Sequence, residues 1–262
     1  MGHQVKLMPA RLVKAFNIGN KNDAADARAI WLTVQQPSKP VAVKTGMQQA
    51  MLSLHRMRQQ LVKFRTMQTN GLRGLLAEYG EVIGKGRASL AKTLPELLGR
   101  LSQRLPAVLI DTLREQWAEV ARIDERIAAI ERRLLEWKKQ DPAVRAVSEI
   151  GGVGLLGATA AVATMGDSRA FRSGRFTAWI GIVPRQTGTG GKTQLHGINE
   201  RGDTYLRTLL IHGARSVLAN AKNPDPWIQE LKKRRPHNVA VVAMANKMVR
   251  TIWAVLAHGR AY

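Results

Sequence analysis

At 262 residues the chain can bury a substantial core and form one large domain or two smaller ones. Lys and Arg total 41 against 19 Asp and Glu, a formal charge of +22, and the absence of cysteine excludes disulfides and thiolate metal sites. No signal-peptide core opens the sequence and no run is read as a span of roughly 20 apolar residues, so the expectation is a soluble cytoplasmic protein that engages no membrane. The basic excess is even: residues 1–141 carry 24 basic and 13 acidic side chains and residues 142–262 carry 17 and 6, so each half is +11. A basic tail would concentrate the charge; an even excess suits a body lying along a polyanion, with a solubility device as the bland alternative.

In chain order, residues 3–8 alternate like a short strand that stops at Pro9. A lone strand needs sheet neighbours, and the sequence before it supplies none. Asn20-Lys21-Asn22-Asp23-Ala24-Ala25-Asp26 then reads as a capped, Ala-rich helix start. Asp23 and Asp26, at i and i+3, share one helical face. Such a pair can contribute oxygen ligands to a divalent cation, but acids in a first turn more often serve the helix dipole.

Residues 45–80 form a long helical segment with Met47, Met51, Leu54, Leu61, Leu72, Leu75 and Tyr79 on a 4,3 seam interrupted by Arg58, Arg65 and Gln68. Residues 81–106, rich in Gly, Pro and Lys, read as a connection. A second long helix, 107–139, repeats Leu113, Trp117, Val120, Ile123, Ile127, Ile130, Leu134 and Trp137 at spacings of 4 and 3 with one stammer. An antiparallel helical hairpin is the simplest arrangement. Packing inside one chain and pairing between chains are equally consistent with it.

After Pro142, two short helices flank Gly151-Gly152-Val153-Gly154, a pattern similar to a helix-hairpin-helix that directs backbone N–H groups at a phosphate. Glycine also serves close helix packing. Downstream, Gly191-Lys192-Thr193 matches the end of a phosphate-binding loop, but the required earlier glycine is Gln186, which rejects that motif. What remains is a flexible basic loop in which Thr187 and Thr189 lie between Arg185 and Lys192, able to contact a phosphodiester or attack one. Arg201-Gly202-Asp203 opens a further helix. Lys232-Lys233-Arg234-Arg235 suits phosphates or solvent, and a last helix over 238–258 is apolar on its core face, with Trp253 read as core.

Taken together, Gly181-Ile182-Val183-Pro184-Arg185-Gln186, Gly190-Gly191-Lys192, Arg201-Gly202-Asp203 and Leu206-Arg207 resemble the C-terminal domain of bacterial DEDD insertion-sequence transposases, the group numbered one-ten with its eleven-eleven branch. Lys21 to Ala27 resembles that family's last two acidic positions, and the resemblance covers essentially the whole chain. It implies a mainly α fold: a RuvC-like α/β remnant over 1–44, a coiled-coil arm over 45–141 and a helical domain with the hairpin motif over 142–262.

The resemblance further implies a DNA-binding transposase acting in strand cleavage and exchange, with Mg2+ as cofactor, DNA and a structured bridge RNA as partners, and self-association through the arm. Asp23 and Asp26 become the metal and catalytic acids. Thr189 takes the place of the family's serine nucleophile. Gly151, Gly152, Gly154, Arg185, Gly190, Gly191, Lys192, Arg201 and Arg207 become nucleic-acid contacts. Nothing acidic precedes Asp23, so the expectation is a product lacking the family's first two carboxylates and impaired in chemistry. The alternatives are a non-enzymatic nucleic-acid-binding module built on the glycine hairpin, and a helical oligomerisation protein.

Overall fold

A computed structural model describes residues 6–18, 22–37, 43–168, 171, 175–221 and 226–259. Residues 3–5 of the expected strand, Asn20 and Lys21 of the expected helix start, and Pro40 and Pro224 lie outside them. Among the described residues the N-terminal segment is a helical pair, α1 (Ala10–Phe16) and α2 (Asp23–Gln35), packed on each other. The Asn22 side chain accepts from Ala25 N at 2.8 Å and starts α2. Of the expected strand, Leu7 makes an isolated bridge.

The arm is built from α3 (Gly46–Glu78), α4 (Arg87–Leu101) and α5 (Ala107–Gln140). Thr45 and Gln48 form a reciprocal capping box that fixes the start of α3. Helices α3 and α5 run antiparallel, with Arg58 paired to Glu131 at 2.7 Å and Arg65 to Asp124 at 2.8 Å. The apolar stripe of α5 is buried from Leu113 to Trp137, with Trp117 half-buried, as its spacing predicts.

Helix α3 differs from expectation. Its inner face is His55, Arg58, Arg65, Thr69, Leu72 and Leu76, whereas Met47, Leu75 and Tyr79 of the expected seam are exposed. The cations interrupting the expected seam are therefore on the packed face, where acids of α5 neutralise them. A second correction concerns 81–106. This segment contains α4, and its Leu90, Leu94, Leu97, Leu98 and Leu101 close a separate core at the arm's tip with Leu72, Leu76, Ile110 and Leu113. Glycine at 84 and 86 and Pro95 obscure a run of leucines at helical spacing.

The C-terminal unit is wrapped around α7 (Leu155–Met165), which is buried from Gly157 to Met165. Around it pack α6 (Pro142–Ser148), α9 (Thr204–Asn220) and the root of α3, while α11 (His237–His258) closes over α6, α8 (Arg175–Ile180), α9 and α10 (Pro226–Arg234). Helix α11 is long and apolar enough to cross a membrane, contrary to the reading that no stretch approaches a span. Its apolar residues Ala240, Val241, Ala245, Met248, Val249 and Ile252 instead enter this core.

The one sheet among the described residues is an antiparallel ribbon, β1 (Pro184–Thr189) and β2 (Lys192–Ile198), where a flexible loop was expected.

Candidate nucleic-acid interface

The ribbon turns through Gly190 and Gly191, at φ 56° and 77°, between the facing residues Thr189 and Lys192. Two central residues at positive φ make the tight turn whose twist matches paired strands, a conformation that glycine adopts without steric cost. Every residue of β1 is exposed, and so is β2 as far as Gly197. A bare ribbon is weakly held, because both its faces meet water. Thr187 Oγ1 lies 2.6 Å from His196 Nε2, a diagonal cross-strand link.

The root of the ribbon is rigid. A Cβ on Gly181 would lie 2.0 Å from Arg201 O, and one on Gly202 would lie 1.8 Å from Trp179 O, so the segments entering and leaving the ribbon interlock backbone to backbone. Asn199 N donates to Val183 O at 2.9 Å and Asp203 Oδ1 caps α9 by accepting from Leu206 N at 2.9 Å. Arg207, expected at nucleic acid, is 8 % exposed. Its Nη1 donates to Ile180 O at 2.9 Å and Arg201 O at 3.2 Å, which commits the guanidinium to the root. Arg185 and Arg201 are exposed and line one small hollow beside it with Asn199.

Within the glycine hairpin, Gly152 serves close packing. Gly152 has φ 85°, and a Cβ there would meet Val217 at 2.6 Å and Gly213 O at 2.9 Å, so it is the point where α9 approaches the turn. Gly151 and Gly154 are exposed beside it. Asp23 is exposed in the first turn of α2, and Asp26 accepts from the Asn17 amide. Helix α2 packs principally on α1, so the structure does not bring these acids to Thr189 through any substantial packing.

Sequence reading missed a buried polar chain at the arm's root. His55 is 1 % exposed; its Nδ1 lies 2.9 Å from Tyr205 Oη and its Nε2 lies 3.0 Å from Thr159 Oγ1. Thr159 donates to Leu155 O at 2.7 Å, so it accepts from Nε2–H, leaving Nδ1 to accept from the tyrosine. Burial, reinforced by the Arg58 cation and opposed by Asp203, lowers the imidazole from 6.5 to about 4. Burial pushes the Tyr205 phenol above 10.0, opposed by the nearby Arg58. The only sequence signal was a histidine at the spacing of Arg58, Arg65 and Leu72.

A model for the IS116/IS110/IS902 transposase family matches residues 144–232, which contain the glycine hairpin, the ribbon and its root. The chain is 42% identical, over its whole length and 80% of the relative, to a probable family 20 transposase of Pseudomonas aeruginosa. The chain belongs to the IS116/IS110/IS902 family of insertion-sequence transposases. The chain is also similar to the transposase of element IS1111A from Coxiella burnetii, 38% identical over all of this chain and 74% of the relative. That of IS1328 from Yersinia enterocolitica is 35% identical over all of this chain and 79% of the relative. In this transposase the matched segment thus coincides with the ribbon and the core that holds it.

Proposed function

We propose that the chain is a DNA-binding transposase in which the ribbon meets nucleic acid and the Thr189 hydroxyl attacks a phosphodiester. The observation that carries this reading is the exposed ribbon presenting Thr189 opposite Lys192, with Arg185 and Arg201 at its rigid root. A two-stranded ribbon fits the major groove of a duplex, and its cations contact phosphates. In the reaction, the Thr189 Oγ–phosphorus bond forms as a phosphorus–oxygen bond to one sugar breaks. The threonine proton is lost, the departing sugar oxygen gains one, and the strand remains attached through the protein.

Asp23 and Asp26 are the residues of this chain assigned to Mg2+. Among the described residues no group of three or more His, Asp or Glu is placed to hold a metal, so the pair is a partial donor set. Chemistry by the purified chain is accordingly expected to be slow relative to DNA binding. The charge spread over both halves suits a structured guide RNA beside DNA. Self-association through the arm would use the outer face of α3, where Met57, Phe64 and Met67 are exposed, because the α5 seam is covered within the chain.

The deciding experiment is trapping of a covalent DNA–protein adduct with magnesium and the element's own DNA ends. A weak adduct is expected for the native chain, none for Thr189→Ala, and more for Thr189→Ser, which removes the β-methyl crowding the hydroxyl. An adduct that survives Thr189→Ala would overturn the assignment.

A further inference from the structure

A cavity of about 860 Å³ opens where the root of the ribbon meets α10 and α11. Ile182 and Pro184 form one side, and Trp227 stands at another. The floor is one face of α11, on which Ala243, Asn246, Lys247, Arg250 and Ala254 recur at helical spacing. Its volume falls within the roughly 300–1,000 Å³ of ligand sites.

The lining has a specific chemistry. Its walls are apolar and aromatic, and among the described residues the ionic side chains that line it, Lys247 and Arg250, are cations. Trp227 is 38 % exposed, and Lys247 Nζ lies 4.9 Å from its ring centroid. Trp253 is fixed as a wall, because its indole N–H donates to Ser168 O at 3.2 Å and Phe171 O at 3.0 Å. A ligand complementary to such a groove is flat and apolar on one side and anionic along another. That describes a nucleobase with its flanking phosphates. The base must be unpaired, since a base within a duplex has its faces covered by its neighbours.

We propose that this groove binds an unpaired stretch of nucleic acid, with a base against Trp227, phosphates at Lys247 and Arg250, and a base edge at Asn246. The inference rests on the reading of the chain as a nucleic-acid-binding transposase. Pro184 both lines the groove and begins β1, so a strand seated there leads to the root of the ribbon that carries Thr189.

The test measures binding of the full chain to a fluorescent oligothymidylate and to a duplex of equal length across a salt series. Trp227→Ala should weaken single-strand binding by about tenfold and leave duplex binding unchanged, while Trp227→Phe retains most single-strand affinity. Lys247→Ala and Arg250→Ala should each lower the single-strand salt slope by about one. The proposal is overturned if Trp227→Ala leaves single-strand binding intact or weakens both ligands equally. Should Trp227→Ala lose cooperative unfolding, Arg250→Ala decides, and an unchanged single-strand slope overturns the site. A native chain that binds the duplex in a salt-dependent way while the variants change nothing removes the groove alone. A native chain that binds neither ligand removes the transposase reading with it.

Discussion

Arg207 and His55 show how burial reassigns a polar residue. A guanidinium that is 8 % exposed and bonded to the carbonyls of Ile180 and Arg201 holds the ribbon's root. Arg207→Ala leaves those carbonyls unpaired and should cost about 3 kcal/mol in chemical denaturation, a loss Arg207→Lys does not restore because a lysine lacks the planar fork. His55 makes a pH prediction. Its folded value of about 4 lies below the 6.5 of the free side chain. Between those values the unfolded chain binds a proton that the folded chain refuses. Stability therefore falls as pH drops from 6.5 to about 4 and is constant in this respect below it. The contribution is on the order of 3 kcal/mol. Denaturation curves across that window should steepen in pH dependence for the native chain and flatten for His55→Gln.

Among the elements, α4 and the ribbon sit at opposite ends of the stability scale. The leucines of α4 are buried, Leu94 fully, so Leu94→Ala should lower unfolding stability by about 3 kcal/mol through loss of apolar contact and an unfilled cavity. The ribbon is exposed on both faces, so its loss costs the fold little. Replacing Gly190 and Gly191 with alanine imposes roughly 1–2 kcal/mol of strain at each positive φ. That exceeds what a bare hairpin can supply. The double variant should melt at nearly the native temperature while losing adduct formation and much of its DNA affinity.

At the scale of the whole molecule, the chain from Arg58 through Tyr205 and His55 to Thr159 ties the root of the arm to the C-terminal core, while Glu131 ties Arg58 to α5. The arm and the ribbon therefore project from one rigid centre. The +22 charge surrounding that centre should make duplex binding steeply salt-dependent. If six or more phosphates are contacted, affinity should fall by roughly a thousandfold over a fourfold rise in salt. A titration showing a shallow slope would indicate that the charge serves solubility.

The sequence by itself determined the long helices and the family motifs. The α5 seam was legible because eight apolar positions at spacings of 4 and 3 can face only one way on a helix. The ribbon was not, since strands exposed on both faces carry no apolar alternation, although Gly190-Gly191 between threonine and lysine marked a two-residue turn. Only the tertiary structure decided that Arg207 is buried, that Gly152 is a packing contact, that His55 joins three helices and that Trp227 and Arg250 face one groove. These facts depend on which distant backbone lies opposite each side chain, which local periodicity does not encode: Gly152 meets Gly213, and Arg207 meets Ile180, only when α9 has docked.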